Sequence, residues 1–236
     1  MNSANPLRRS THLKLVSSSE EYSRSPSPQD LISDLPHTRL RECPEGAVLF
    51  QQGDTATSLY RLSSGLVKLV TYKPDGSTRI IRVCSAGNLI GMEGLFNAKH
   101  HYTAIALSSV SAVECPISDI QQQEKHDIQF YFQLTEELYD QLTLADKWIS
   151  DFSSGSIKQR IVKLLEYLTS IKQSQSSRLI ELLKVQDIAD IVAATPESVS
   201  RILADFKRRE ILVKSSGALI DVYIIDLHKL NTSTVM

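Results

Sequence analysis

Apolar positions along this chain change period as the sequence runs. Between Arg39 and Ile120 they come in short runs, AVLF, SLYRL, LVKLVTY, TRIIRV, TAIAL and SAVECPI, each closed by turn residues. Seven of the nine glycines, Gly46, Gly53, Gly65, Gly76, Gly87, Gly91 and Gly94, fall in this stretch. Short strands punctuated by glycine predict an antiparallel barrel or jelly roll, and Pro74 with Gly76 in KPDG predicts a hairpin turn. From about His126 to Ser154 the period becomes helical. Tyr131, Thr135, Leu138, Leu142, Ala145, Ile149 and Phe152 recur at alternating steps of four and three, which is a heptad seam. Such a stripe either packs on the chain's own barrel or meets the same stripe of a second copy. Gly155 ends this helix, and SIKQRIVKLLEYLTSI then predicts another, with Ile157, Ile161, Leu164, Leu165 and Leu168 inward.

The segment from Val185 to Leu212, VQDIADIVAATPESVSRILADFKRREIL, holds two more helical runs with almost nothing between them. Ile188, Ala189, Ile191 and Val192 form one apolar face, and Val199, Ile202, Leu203 and Phe206 form the next. The break falls at Ala193-Ala194. Thr195 is an N-cap whose hydroxyl satisfies an orphan amide, and Pro196 sits at the first helical position, where its missing N–H costs nothing. Neither run is long enough to be stable alone, so the two pack together. Glu197, Ser198, Ser200, Arg201 and Lys207 then face outward, which is a helix-turn-helix presenting its second helix to the DNA major groove. A plain helical hairpin with Glu197 paired to Arg201 is the simpler alternative. ILVKSSGALIDVYII weighs against it, because strands over Ile211 to Lys214 and Ala218 to Ile225 around a Ser-Ser-Gly turn add a wing. A DNA-binding unit of this kind commonly works as a dimer, which favours the parallel two-fold seam for the preceding helix.

Net charge is −1 over 236 residues, which argues against a protein that coats nucleic acid generally. The distribution is uneven: from Gly155 onward twelve Lys and Arg stand against nine Asp and Glu. The positive excess therefore coincides with the helix-turn-helix, as phosphate neutralisation requires. No apolar run approaches the roughly 20 residues of a membrane span, and MNSANPLRRSTHLKLV develops no apolar core of a signal peptide, so a cytoplasmic protein without a membrane partner is expected. Cys43, Cys84 and Cys115 form no CxxC pair, and buried free thiols are their expected state.

A jelly roll, a long dimer helix and a C-terminal winged helix in that order, with GNLIGMEGLF in the barrel and PESVSR in the second helix, resemble the cyclic-AMP receptor and FNR superfamily of bacterial transcription regulators. The resemblance covers roughly residues 39 to 225 and implies an α+β chain, with a jelly-roll sensor of the cyclic-nucleotide-binding type over 30–125, a dimerisation helix over 126–154 and a winged helix-turn-helix over 155–236, while the polar, serine-rich composition of 1–29 predicts a flexible extension. It implies a non-enzymatic activator or repressor that recruits or blocks RNA polymerase from a double-stranded DNA site. Glu197, Ser200 and Arg201 resemble the Glu-x-x-Ser-Arg pattern of the FNR branch, whose half-site is near TTGAT, repeated as an inverted pair. The chemistry fits, since a carboxylate accepts from cytosine N4 and arginine reaches guanine O6 and N7. Thr195, Ser198, Lys207 and Arg208 complete the expected DNA face, and Tyr131, Leu138, Leu142, Ala145 and Ile149 the expected dimer interface. Ala193 stands where the family's turn usually has glycine, and a positive φ there would strain it.

The effector corner is expected at Gly91, Met92, Glu93, Tyr102 and Thr103. In cyclic-AMP-binding relatives a glutamate follows the glycine and an Arg-Ser pair follows about ten residues later, whereas this chain has Met92 and Tyr102-Thr103. Cyclic nucleotide is therefore not the expected effector. No cysteine cluster precedes Cys43, so no iron–sulfur cluster or other cofactor is expected. A redox- or haem-sensing regulator and a cupin-like metal protein are the alternatives. A redox switch would use Cys84 or Cys115, which no positional signal marks, and the haem and metal readings lack a converging ligand set, because His100 and His101 follow NAK and read as solvated loop residues.

Overall fold

The computed structural model describes residues 32–72, 78–96, 98–171, 179–215 and 222–233. The extension over 1–29, the KPDG turn and the segment from Ser216 to Asp221 that would tip the wing lie outside the described residues.

Eight strands form the N-terminal half: β1 (Arg39–Cys43), β2 (Val48–Phe50), β3 (Ser58–Ser64), β4 (Val67–Tyr72), β5 (Thr78–Cys84), β6 (Leu89–Ile90), β7 (Thr103–Ala106) and β8 (Val110–Pro116). They make two antiparallel four-stranded sheets, ordered β1-β8-β3-β6 and β2-β7-β4-β5. Side chains alternating inward from both sheets, among them Phe50, Leu62, Val67, Leu69, Ile90 and Ala112, fill the space between them. The expected jelly-roll architecture is present. Cys43, Cys84 and Cys115 are all buried and free, and burial pushes the Cys84 and Cys115 thiols up.

Helix α1 (Ile117–His126) follows β8 directly and had no signal of its own, because its apolar residues Ile117 and Ile120 continue the pattern of the preceding strand. Asp127 then breaks the chain into an extended conformation and caps α2 (Ile128–Phe152) by accepting from the amides of Gln129 and Phe130 at 2.9 and 3.2 Å. The long helix thus starts at Ile128, two residues later than the periodicity places it. Phe130, Leu134, Gln141, Trp148 and Phe152 form its buried face, and Arg61 of β3 fixes it to the barrel through Glu137 at 3.0 Å.

Helix α3 (Ile157–Ile171) buries Ile161, Leu164, Leu165 and Leu168 as expected, with Ile157 partly buried beside them. The short strand β9 (Leu179–Glu181) leads into α4 (Val185–Val192) and α5 (Pro196–Arg208), followed by β10 (Leu212–Lys214), β11 (Val222–Ile225) and α6 (Leu227–Thr232). β9 pairs with β11, giving a three-stranded sheet ordered β10-β11-β9 instead of a two-stranded wing. Leu179 to Glu181 and Leu227 to Thr232 are too short to carry a readable period, which is why neither element was expected.

The core beneath α4 and α5 extends into the barrel. Val70, Ile80, Val83 and Leu107 pack in one cluster with α3, α4, α5 and the C-terminal sheet. Polar ties reinforce this contact: Tyr167 donates to the Val83 carbonyl at 3.0 Å, Lys184 meets Glu45 at 2.7 Å, and Lys68 pairs with Asp187.

Candidate nucleic-acid interface and effector cavity

α4 and α5 form the helix-turn-helix in the register the apolar spacing gives. Ile188, Ala189, Ile191 and Val192 of α4 and Val199, Leu203 and Phe206 of α5 are all buried, while Ile202 of the expected face is only partly buried at its edge. Thr195 caps α5 by accepting from the Ser198 amide at 3.3 Å, with Pro196 at the first helical position. Ala193, which closes α4, has φ 49° and ψ 58°, so the strain that glycine would avoid is present, a cost of roughly 1–2 kcal/mol for an L residue.

Thr195, Glu197, Ser200, Arg201, Lys207 and Arg208 are exposed on the outer side of this unit, and Ser198 is half-buried. Arg201 does not pair with Glu197. Its guanidinium instead reaches the Ser198 hydroxyl at 3.4 Å, and Ser198 in turn takes a hydrogen bond from Thr195 at 3.2 Å. Glu197 and Arg201 are thus left open to an incoming ligand. At the far end of α5, Arg208 donates to Asp205 at 2.7 Å, and the Lys207 ammonium lies 4.7 Å from the centre of the Tyr223 ring on β11. That cation–π contact orients Lys207 toward the wing sheet.

The stripe on α2 divides in two. Tyr131, Leu142 and Ile149 are half to three-fifths exposed, at 50 %, 59 % and 61 %, while Leu138 and Ala145 are partly covered. Phe152, the last residue of the heptad reading, does not belong to this face. It is buried against Trp148 with ring centres 4.3 Å apart, because the helix ends where the chain turns back toward α3.

A cavity of about 290 Å³ lies between the barrel and α2. Its walls include Leu69, Leu89, Ile90, Gly91, Met92 and Tyr102 from the barrel and Gln141, Leu142, Ala145, Trp148 and Ile149 from α2. Three of the five expected corner residues, Gly91, Met92 and Tyr102, therefore line it, and two do not. Thr103 is buried with its hydroxyl accepting from the Gln52 amide at 3.0 Å. Glu93 is buried behind the wall, 3.8 Å from the His100 ring nitrogen. Gly91 has φ 86°, and a Cβ there would stand 2.7 Å from the Ser58 carbonyl oxygen, so the corner requires glycine.

His100 departs from the expectation of a solvated loop. It is buried and stacked on Phe50, with ring centres 3.8 Å apart and planes 12° off parallel, whereas His101 is exposed. The backbone of His100 is tied on both sides to the Gln51–Asp54 turn: its carbonyl accepts from Gly53 and its amide donates to Asp54, each at 2.9 Å. Burial lowers the His100 pKa, against the opposing pull of Glu93 and Asp54. Burial, then the Glu93 carboxylate, push the Tyr102 hydroxyl up, so it stays a neutral donor.

Sequence reasoning missed Arg82. It comes from β5, reaches the cavity wall and donates to the Gln141 backbone carbonyl at 3.2 Å. The corner that lacks a family arginine is thus not without a cation. A charged residue inside the apolar run TRIIRV was the available signal.

A β-barrel joined through a long, partly uncovered helix to a helix-turn-helix is the architecture of a DNA-binding transcription regulator. Residues 40–127 match the cyclic nucleotide-binding domain family and residues 159–232 the Crp-like helix-turn-helix domain family. The chain belongs to the Crp/FNR superfamily of transcription regulators. It is 28% identical over 181 residues to the transcriptional regulator LdrP of Thermus thermophilus, an alignment covering 76% of this chain and 88% of the relative. It is 27% identical over 178 residues to the fumarate and nitrate reduction regulatory protein of Vibrio cholerae, covering 74% and 71%. A solved CRP-family transcriptional regulator from Thermus thermophilus superposes with TM-score 0.70 at 25% identity, over 83% of this chain and 97% of that one. FixK2 from Bradyrhizobium japonicum shares the fold with TM-score 0.70 at 19% identity, over 83% and 96%.

Proposed function

We propose that the protein acts as a homodimer, joined through the exposed stripe of α2, and regulates transcription from an inverted repeat of TTGAT-type half-sites. The observation that carries this reading is the outer face of α5, where Glu197, Ser200 and Arg201 stand exposed above the buried apolar face of the helix-turn-helix. Arg201 pairs bidentately with a guanine, Glu197 accepts from a cytosine, and Ser200 touches a neighbouring base. Thr195, Ser198, Lys207 and Arg208 set the register on the phosphates. Bound there, the dimer recruits or blocks RNA polymerase.

In the same reading the cavity between barrel and α2 is the effector site, and its effector is not cyclic AMP. Met92 offers no acceptor for a ribose hydroxyl, Glu93 is buried between His100 and Tyr102 and does not line the cavity, and about 290 Å³ is at the small end of ligand pockets, which run from roughly 300 to 1,000 Å³. Leu142 and Ile149 belong to both the cavity wall and the dimer stripe, so a ligand there bears on subunit pairing.

A binding selection from random duplexes tests the DNA half of this reading. The expected product is an inverted repeat, and Arg201→Ala should lose about 1–3 kcal/mol of discrimination at one guanine per half-site. Neutralising Arg208 should instead weaken all sequences alike and flatten the salt dependence. Recovery of no inverted repeat, or an unchanged preference in Arg201→Ala, overturns the recognition assignment.

A further inference from the structure

Arg82 and Gln141 give the cavity a polarity that its apolar walls do not require. Arg82 is only partly solvent-exposed, and among the described residues no carboxylate lies within ion-pair distance of it. Its guanidinium donates to the Gln141 backbone carbonyl, a neutral acceptor. The nearby Cys84 thiol supplies no compensating charge, because its complete burial keeps it protonated. A cation drawn out of water without a counter-charge is costly, and an anion entering the cavity relieves that cost. Beside it, the Gln141 side chain is buried and its Oε1 has no hydrogen-bond partner. An acceptor in that state calls for a donor from whatever fills the cavity. Apart from the Tyr102 hydroxyl, the remaining wall, Leu69, Leu89, Ile90 and Trp148 among others, is apolar.

We propose that the cavity binds a small apolar hydroxy acid, its carboxylate on the Arg82 guanidinium, its hydroxyl donating to Gln141 Oε1 and its hydrocarbon part against Leu69, Leu89 and Trp148. Arg82 reaches the Gln141 backbone carbonyl, so both residues stand at one side of the cavity, and a ligand whose carboxylate and hydroxyl are near each other, such as a 3-hydroxyalkanoate, suits them. A guanidinium–carboxylate pair forms two parallel hydrogen bonds, which fixes the head of the ligand and leaves the tail to fill space. The volume of about 290 Å³ sets the size to a short chain and leaves no room for a phospholipid. This assignment rests on the reading of the cavity as the effector site.

Calorimetry on the full-length protein tests it with 3-hydroxyoctanoate, octanoate, octane-1,3-diol and cyclic AMP, with DNA affinity measured in parallel. The expected order is 3-hydroxyoctanoate first, octanoate about tenfold weaker, and the uncharged diol weaker still. Arg82→Gln should reduce binding of 3-hydroxyoctanoate at least tenfold, and Arg82→Lys should restore part of it. Gln141→Leu should abolish the preference for the hydroxy acid over octanoate while leaving octanoate binding in place. Thermal melting of each variant separates loss of a contact from loss of the fold. Equal binding of acid and diol, or binding unaffected by Arg82→Gln in a folded variant, overturns the proposal. Binding of cyclic AMP alone overturns the ligand class while leaving the effector cavity standing. Binding of the hydroxy acid without any change in DNA affinity supports the ligand class and overturns the effector reading.

Discussion

Helix α5 and the cavity are built on opposite plans. Everything α5 presents comes from thirteen consecutive residues, capped by Thr195 and held by a partner helix only three residues away in sequence. The cavity takes its wall from β4, β5, β6, Gly91 and Met92 directly after β6, the loop before β7 and α2, so residues separated by eighty positions meet there. A local plan makes the chemistry of α5 legible as a short string, and lets its face change without disturbing the core. An assembled plan makes the cavity depend on several elements at once, so that a group such as Arg82 enters its wall only when β5 is laid under α2.

This contrast is open to attack at both ends. The largest effect should come from the local unit's own core: Phe206→Ala, at a fully buried site, should cost about 3–5 kcal/mol of stability, read by chemical denaturation. Next, Leu142→Glu with Ile149→Lys should give a monomer by sedimentation, with affinity for the full inverted repeat down on the order of 100-fold, about 2.7 kcal/mol. The same double variant should also perturb the cavity, since both residues line it. A still-dimeric variant would remove the link between cavity and pairing. Ala193→Gly should raise stability by about 1 kcal/mol, through relief of the φ 49° conformation, while leaving base preference unchanged. If it altered preference, the local plan would not be as self-contained as described.

The smallest effect concerns the barrel's buried imidazole. The fold lowers the His100 pKa below its ordinary value, so His100 favours folding fully when it is neutral in both states, above about pH 6.5. That contribution is lost as pH falls from there through the folded value, because the unfolded chain takes up the proton first. Between pH 7.5 and 5.5 the Tm should therefore decline, and His100→Phe, which retains stacking on Phe50, should flatten the decline. An unchanged slope in that variant would mean the burial of His100 carries no pH dependence.

The same contrast accounts for what the sequence disclosed. The helix-turn-helix was legible to the residue, including the Thr195 cap, Pro196 and the strained Ala193, because caps and apolar period act within one or two turns. The strands of the barrel were legible as runs between glycines. Arg82, Gln141 and the burial of His100 were not, since each depends on packing between distant segments: His100 follows a polar loop, yet its backbone is tied to the Gln51–Asp54 turn and its ring is drawn onto Phe50. Phe152 kept perfect heptad spacing and still turned inward, because Trp148 and the turn into α3 compete for it. Periodicity marks which residues are apolar, and tertiary contacts decide which neighbour covers them.

The packing of Val70, Ile80, Val83 and Leu107 into the same cluster as α3, α4 and α5 bears on how such a chain is handled and how it evolves. A boundary drawn near Gly155 cuts through a continuous apolar surface, so the C-terminal fragment expressed alone would show the solvent a greasy patch where the barrel had been. Recombining this half with the barrel of a distant relative requires matching four side chains of β4, β5 and the loop after β7, together with Glu45 and Lys68. The unit of exchange in this molecule is larger than either of its recognisable halves.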